Sequence, residues 1–382
     1  MKVLIVFLDM IRPNRLSTFN KNIKIDTPLD NSLRNIGGTF YSNCFTTAPD
    51  TPRGMASFAT GQPPYINGCN SRVKWPRFFL NKELKTIYDL FVEKNYKMSM
   101  FSNPNERETG LFPEHVSGMD IHNQDYDLSK YLSNIKLEND HLVFVSLPDF
   151  HWSFGDNGYS TYGEKIAYKD ISKSLETIFD NFDKDEFDHI FIFSDHGFKF
   201  KSEGFNSPKY ALLNEDRTNI LLIHREKGQS NNFKINDKLC AITDIYPTVE
   251  DILNGQRTEA SLFDDSEREY VLIEDHLEFA PAVNQNISIW ALVTNEIIYV
   301  RTLKDGHILY RGGDANEGIN PNYDEILNKE TSFGFYLNEY NKIFSYRELI
   351  FKQTNFMHGG ERKKILTAYN YINILKDLIW KP

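Results

Sequence analysis

The sequence predicts an α/β protein: a doubly wound, mixed or mostly parallel sheet flanked by helices, followed by a small antiparallel sheet. Three observations predict it. Apolar runs of strand length end repeatedly on polar residues, and amphipathic stretches with helical spacing lie between them. After about residue 265, short strands follow one another with only turns between.

The elements follow in order. "MKVLIVFLDM" is an apolar run ending on Asp9, too short to span a bilayer, and reads as the first strand rather than a signal peptide. "TTAPDTPRGMASFATGQPP", Thr46 to Pro64, reads as a Pro-rich loop entering a short helix whose first amides would face an incoming anion. "ELKTIYDLFVEKN" has apolar residues three and four apart, a helix; "YKMSMFSN" is a strand ending on Ser102 and Asn103. "HLVFVSLPDFH" is a strand ending on Pro148, Asp149 and His151, and "YKDISKSLETIFDNF" is the helix after it. "HIFIFSDHGF" is rich in Ile and Phe, stops at Asp195 and His196, and is bounded by Gly197, which describes a buried strand. "ISIWALVTNEIIYVRTLKDGHILYR" gives strands with turns at Thr294-Asn295 and Asp305-Gly306, and "ERKKILTAYNYINILKDLI" closes the chain as a helix. The resulting organisation is an α/β domain over 1–264 and an antiparallel subdomain with a closing helix over 265–382.

Composition narrows the function. The 382 residues are 40% hydrophobic and 14% aromatic, enough for a large core and too apolar for a disordered chain. A net charge of -10 argues against general binding of nucleic acid or anionic membranes, while leaving room for a local basic pocket. The three thiols, Cys44, Cys69 and Cys240, have no CxxC spacing, which fits a reducing, cytoplasmic setting and disfavours cysteine-held zinc. No segment reaches about 18 uninterrupted apolar residues, so no membrane span is expected.

In open α/β sheets ligands collect beyond the carboxyl ends of the strands. Asp9, Asp149, Asp195, His151 and His196 all fall at such ends, and their oxygens and nitrogens are donors that Mg²⁺, Mn²⁺, Ca²⁺ or Zn²⁺ accept. A single Asp-His-Gly also reads as an Asx turn or a helix cap; recurrence at four strand ends favours a site. Thr51 stands near the helix start after the Pro-rich loop. Its hydroxyl, ionised by a bound cation, could attack a phosphoryl or sulfuryl centre while the helix amides and Arg53 share the charge; alternatively it caps the helix. Trp75 and Trp152 suit stacking on a sugar ring, or the core.

"LIVFLDM", "GGTFYSNCFTTAPDTPRGMASFATGQ", "FIFSDHGF", "TDIYPTVEDILNG" and "ISIWALVTNEIIYVRTL" resemble, in that order and spacing, the sulfatase branch of the alkaline phosphatase superfamily over most of the chain. The resemblance implies an alkaline phosphatase-like fold with a metal-activated nucleophile at a helix start and a C-terminal antiparallel subdomain. By position, Asp9, Asp195 and His196 resemble the metal ligands, Thr51 the nucleophile and further ligand, and Lys209 the anion-contacting lysine. His151 and Asp149 fall where the family supplies substrate-side groups. Where the family has Lys-x-His this chain has "SNPNER", so Asn103 and Asn105 offer neutral hydrogen bonds there. His358, with Asp149 and His151, could supply a second metal site as in two-metal relatives.

The departures redirect the expectation. Formylglycine arises from Cys or Ser in a C/S-x-P-x-R motif; here the positions hold Thr51 and Met55, and the second of the family's paired aspartates is Met10. A directly nucleophilic threonine resembles the phosphodiesterase, phosphonate-hydrolase and phosphoethanolamine-transferase branches. The sequence therefore predicts a metal-dependent hydrolase or phosphotransferase acting on a phosphate-type ester through a covalent threonine, on a small-molecule, glycan or lipid-linked anionic substrate. Two other readings stand beside it: a sulfatase-like hydrolase without formylglycine, and a degenerate relative that binds an anion or glycan without turnover.

Overall fold

The computed structural model describes residues 1–69, 80–81, 83–102, 119–122, 127–158, 160–198, 213–266, 268–277, 287–301 and 306–312. Its strands are β1 (Lys2–Leu8), β2 (Gly38–Tyr41), β3 (Cys44–Phe45), β4 (Lys97–Phe101), β5 (Met119–His122), β6 (His141–Leu147) and β7 (His189–Phe193), followed by β8 (Leu222–Glu226), β9 (Phe233–Asn236), β10 (Cys240–Ala241), β11 (Val271–Leu277), β12 (Ile287–Val293), β13 (Ile297–Arg301) and β14 (Gly306–Tyr310). An eight-stranded sheet runs β5-β4-β6-β1-β7-β8-β2-β9, β3 and β10 form a ribbon, and β11 to β14 form a four-stranded antiparallel sheet.

β1 is central because both its faces are apolar. Val3, Ile5 and Phe7 enter one core, with Met55, Phe58, Tyr88, Phe91 and Val249 from the helices Thr51–Thr60, Ile87–Glu93 and Ile245–Asn254. Leu4, Val6 and Leu8 enter the other, with Leu33, Phe150, Leu175 and Ile178 from the helices Pro28–Ile36, Asp149–Asp156 and Thr161–Asn181. That is the continuous apolar run of a doubly covered strand. β1 pairs in parallel with β6 and β7, so Asp9, the segment after Leu147 and the segment after Phe193 all emerge at one edge of the sheet.

The sheet is mixed. β8 runs antiparallel to both β7 and β2. The sequence reading did not assign β2, β8 or β9, which are four or five residues long and too short to declare a period. The antiparallel sheet begins at Val271, with a turn after Thr294, whose N–H donates to the Ile297 carbonyl at 2.9 Å. It shares a core with the β3–β10 ribbon: Phe45 and Ala241 pack with Ile273, Ile289, Val300 and Leu309. The second expected turn at Asp305 and the closing helix lie outside the described residues.

Candidate active site

Asp9 follows β1 directly and its N–H donates to the Leu147 carbonyl at 3.1 Å, which fixes the turn. The next residue, Met10, has φ +70°, a left-handed conformation uncommon for a side-chain-bearing residue. This turn aims the Met10 N–H at Asp195 Oδ1, 3.4 Å away, while the Met10 side chain joins the core beside Leu8 and Ile11. The position of the absent second aspartate is thus apolar packing.

Thr51 is the first residue of its helix and Asp50 is the cap, its carboxylate accepting from Arg53 N–H at 3.3 Å. Capping is therefore done by Asp50, and the Thr51 hydroxyl remains available to the strand ends. Thr51 Oγ1 lies 3.4 Å from Asp9 Oδ1 and 3.3 Å from His196 Nε2. Gly54, on the same helix, permits the close approach: a Cβ there would stand 3.1 Å from the Asp195 carbonyl oxygen.

The Asp195–His196 turn is internally locked. The His196 N–H donates to Asp195 Oδ1 at 2.8 Å, and its Nδ1 lies 2.7 Å from the Gly197 carbonyl. A carbonyl only accepts, so Nδ1 holds the proton and Nε2 presents a lone pair. That Nε2 is 3.5 Å from Asp195 Oδ2 and 3.9 Å from Asp9 Oδ1. Asp195 Oδ2 is buried with no hydrogen-bond partner among the described residues. Burial pushes the Asp195 carboxyl up to about 6, with the nearby Asp9 adding to the rise and His196 opposing it.

Three lone-pair atoms thus face one another, and among the described residues only the Thr51 hydroxyl proton stands between them. Buried carboxylates without compensating charge are costly. Atoms that share a cation at about 2.0–2.6 Å lie roughly 3–4 Å from one another, the spacing seen here. Asp9, Asp195 and His196 have ligand atoms mutually within 4.8 Å. The donor set and the orphaned Asp195 oxygen fit a divalent cation.

His151 joins the same group, its Nδ1 3.0 Å from Asp9 Oδ2. Its side chain is 41% exposed, so it stands at the mouth. Two expected residues are placed otherwise. Asp149 accepts from Ser174 Oγ at 2.8 Å, turned toward the long helix, and does not meet Asp9. Arg53 is fully buried: its Nε donates to Asp50 Oδ2 at 2.6 Å and its Nη2 to Asp275 Oδ1 at 2.8 Å. A guanidinium held between two carboxylates at 0% exposure is a structural anchor, not an anion clamp. The helix amides are also mostly taken. Pro52 has none, Arg53 N–H serves the cap, and Gly54 N–H donates to the Asp50 carbonyl at 2.8 Å. Lys209, Asn103, Asn105, Trp75 and His358 lie outside the described residues.

Sequence reading missed Asp50, Asp275 and Arg217. An acid directly before Thr-Pro carries the signature of a helix cap and could have been found; Asp275 and Arg217 reach the site from distant segments with no local signal. A second cluster, His189, His224 and Glu226, lies at the opposite end of β7. There His189 Nδ1 and His224 Nε2 are 3.1 Å apart with rings inclined by only 10°, edge to edge, so they share one proton. Burial lowers both pKa values, His224 to about 3, and the pair is a neutral hydrogen bond within the core.

No family model matches the chain, and no curated protein matches it. Solved structures do. BT1596, a 2-O glycosaminoglycan sulfatase, superposes with TM-score 0.66 at 15% identity over 90% of this chain and 91% of its own. An alkaline phosphatase superfamily protein from Vibrio parahaemolyticus gives TM-score 0.58 at 14% identity, covering 85% of this chain and 83% of its own. The phosphonate monoester hydrolase of Agrobacterium radiobacter gives 0.58 at 11%, covering 91% and 95%. The chain has the sulfatase-like fold of the alkaline phosphatase superfamily. Within it, the strand-end site combines two aspartates, a histidine and a threonine hydroxyl.

Proposed function

We propose that the chain is a metal-dependent ester hydrolase or group transferase that acts on a phosphate-type ester through covalent attack by Thr51. The observation that supports this most is the position of Thr51 Oγ1, 3.4 Å from Asp9 Oδ1 and 3.3 Å from His196 Nε2, at the edge of the cation-fitting group. Asp9, Asp195, His196 and Thr51 would hold the cation, which supplies Lewis acidity to the hydroxyl and to the ester oxygens.

The protein's own part follows from the bonds above. The Asp9 carboxylate, whose Oδ1 lies 3.4 Å from the hydroxyl, accepts the Thr51 proton, and loss of that proton leaves an oxygen nucleophile at the mouth of the crevice. Gly197, through its carbonyl, keeps His196 in the tautomer whose Nε2 lone pair can hold the cation. His151, half-exposed beside Asp9, is suited to pass a proton to the leaving oxygen. Thr51 cannot become formylglycine, which favours phosphate over sulfate esters. The likeness to a 2-O glycosaminoglycan sulfatase favours an anionic glycan as the bearer of the ester.

The test is turnover of para-nitrophenyl phosphate, a phosphodiester analogue and the sulfate analogue, each with Mg²⁺, Mn²⁺, Ca²⁺ and Zn²⁺. Phosphate-ester turnover that requires metal and is lost in Thr51→Ala supports the reading. Parental turnover in that variant contradicts it.

A further inference from the structure

We infer that Asp275 is a positioning residue for the catalytic set: the C-terminal sheet uses its carboxylate to hold the Thr51 helix and the Asp195–His196 turn in register. The inference rests on the roles proposed above for Thr51, Asp195 and His196. Asp275 lies on β11 and is 1% exposed. Its Oδ1 accepts from Arg53 Nη2 at 2.8 Å and its Oδ2 from Arg217 Nη1 at 3.2 Å.

Each arginine leads to one side of the site. Arg53 binds Asp50, the cap of the helix that Thr51 begins. Arg217 donates from Nη2 to the Pro49 carbonyl at 3.3 Å, and its own carbonyl accepts from Gly197 N–H at 2.9 Å, next to His196. The preceding residue reinforces the contact, since Glu274 N–H donates to the Thr47 carbonyl at 2.9 Å. A single buried carboxylate therefore bonds the Thr51 helix through Arg53 and, through Arg217, the residue whose main chain holds Gly197; its own two bonds are charge-assisted and specify geometry. Without it, two guanidiniums would face each other in a low-dielectric space, and the two segments would lose their common partner.

Hydrogen–deuterium exchange on the full chain tests this without depending on activity. In Asp275→Asn, amides of 48–56 and of 195–198 should both exchange at least about tenfold faster, while β1 and β12 keep parental rates. In Arg217→Gln, 195–198 should loosen while the helix turn at 53–56, still tied through Arg53, does not. Loosening confined to β11, or spread evenly over the sheet, overturns the inference. If Asp275→Asn does not fold, the Arg217→Gln pattern decides: equal protection of 195–198 in that variant overturns it. On para-nitrophenyl phosphate with metal, Asp275→Asn should lower kcat by about tenfold or more at little-changed KM, the split of a misplaced nucleophile. Parental turnover in Thr51→Ala would sink the nucleophile assignment alone and leave the exchange result standing.

Discussion

His151 Nδ1 lies 3.0 Å from Asp9 Oδ2, so a helix after β6 delivers an imidazole to the carboxylate that ends β1. The contact joins a half-exposed group to one that is 6% exposed, linking solvent at the mouth to the floor of the site. His151→Gln should leave the melting temperature within about 2 °C of the parent, since surface changes cost little. It should lower turnover by roughly 10²–10⁴-fold, the ordinary contribution of a general acid or base. Equal turnover in the two proteins would remove His151 from the proton path.

Asp195 gives a pH dependence with a definite sign. Its folded carboxyl is raised from 3.8 to about 6, chiefly by burial. A carboxyl raised on folding favours the protonated native state, so its contribution is most favourable at low pH and is lost as pH climbs from about 4 to 6. The metal-free protein should therefore lose on the order of 3 kcal/mol over that interval through this group, and Asp195→Asn should flatten the change. Cation affinity, which needs the ionised carboxylate, should rise through about pH 6 and then level off with respect to Asp195. Calorimetric melting and metal titration between pH 4 and 8 check both; a parental pH profile in Asp195→Asn would contradict the assignment.

Arg53→Gln should act on stability before activity. It leaves Asp50 and Asp275 buried without the guanidinium they share, a loss of roughly 3–5 kcal/mol for a broken buried pair. Denaturant unfolding measures this. A variant of parental stability with a raised KM would instead restore Arg53 to substrate binding.

The aromatic support under the site is a separate prediction. Phe58 stacks on Phe193 at 4.5 Å between centroids, joining the helix that Thr51 begins to the strand that leads into Asp195. Phe58→Ala should destabilise the protein by about 3–5 kcal/mol, as expected for a large buried side chain. A loss under about 1 kcal/mol would mean that the helix is held chiefly by its charged network.

Much of this was legible in the sequence because long buried strands cannot hide. β1, β4, β6 and β7 announce themselves as apolar runs, and the polar residues at their ends name Asp9, Asp195, His196 and His151. Thr51 was legible from the Pro-rich approach to a helix. What failed was reading the destination of a charge from its neighbours. Arg53 looked available beside Thr51, yet its guanidinium is taken by Asp50 and by Asp275, which is 222 residues away. Asp149 likewise sits at a strand end, but its carboxyl turns to Ser174. Such pairings depend on tertiary contacts that carry no local period, as do the short strands β2, β8 and β9 at one side of the sheet.

The central claim is that Thr51 becomes covalently modified during turnover. The most direct measurement is peptide mass spectrometry of the acid-quenched protein after incubation with a divalent cation and a phosphate ester it hydrolyses. One phosphoryl group should appear on the peptide carrying Thr51, and it should vanish in Thr51→Ala, whose fold should survive because losing a partly exposed Thr hydroxyl costs only about 1 kcal/mol. Continued turnover with the Thr51 peptide unmodified, and undiminished turnover in Thr51→Ala, would contradict the account.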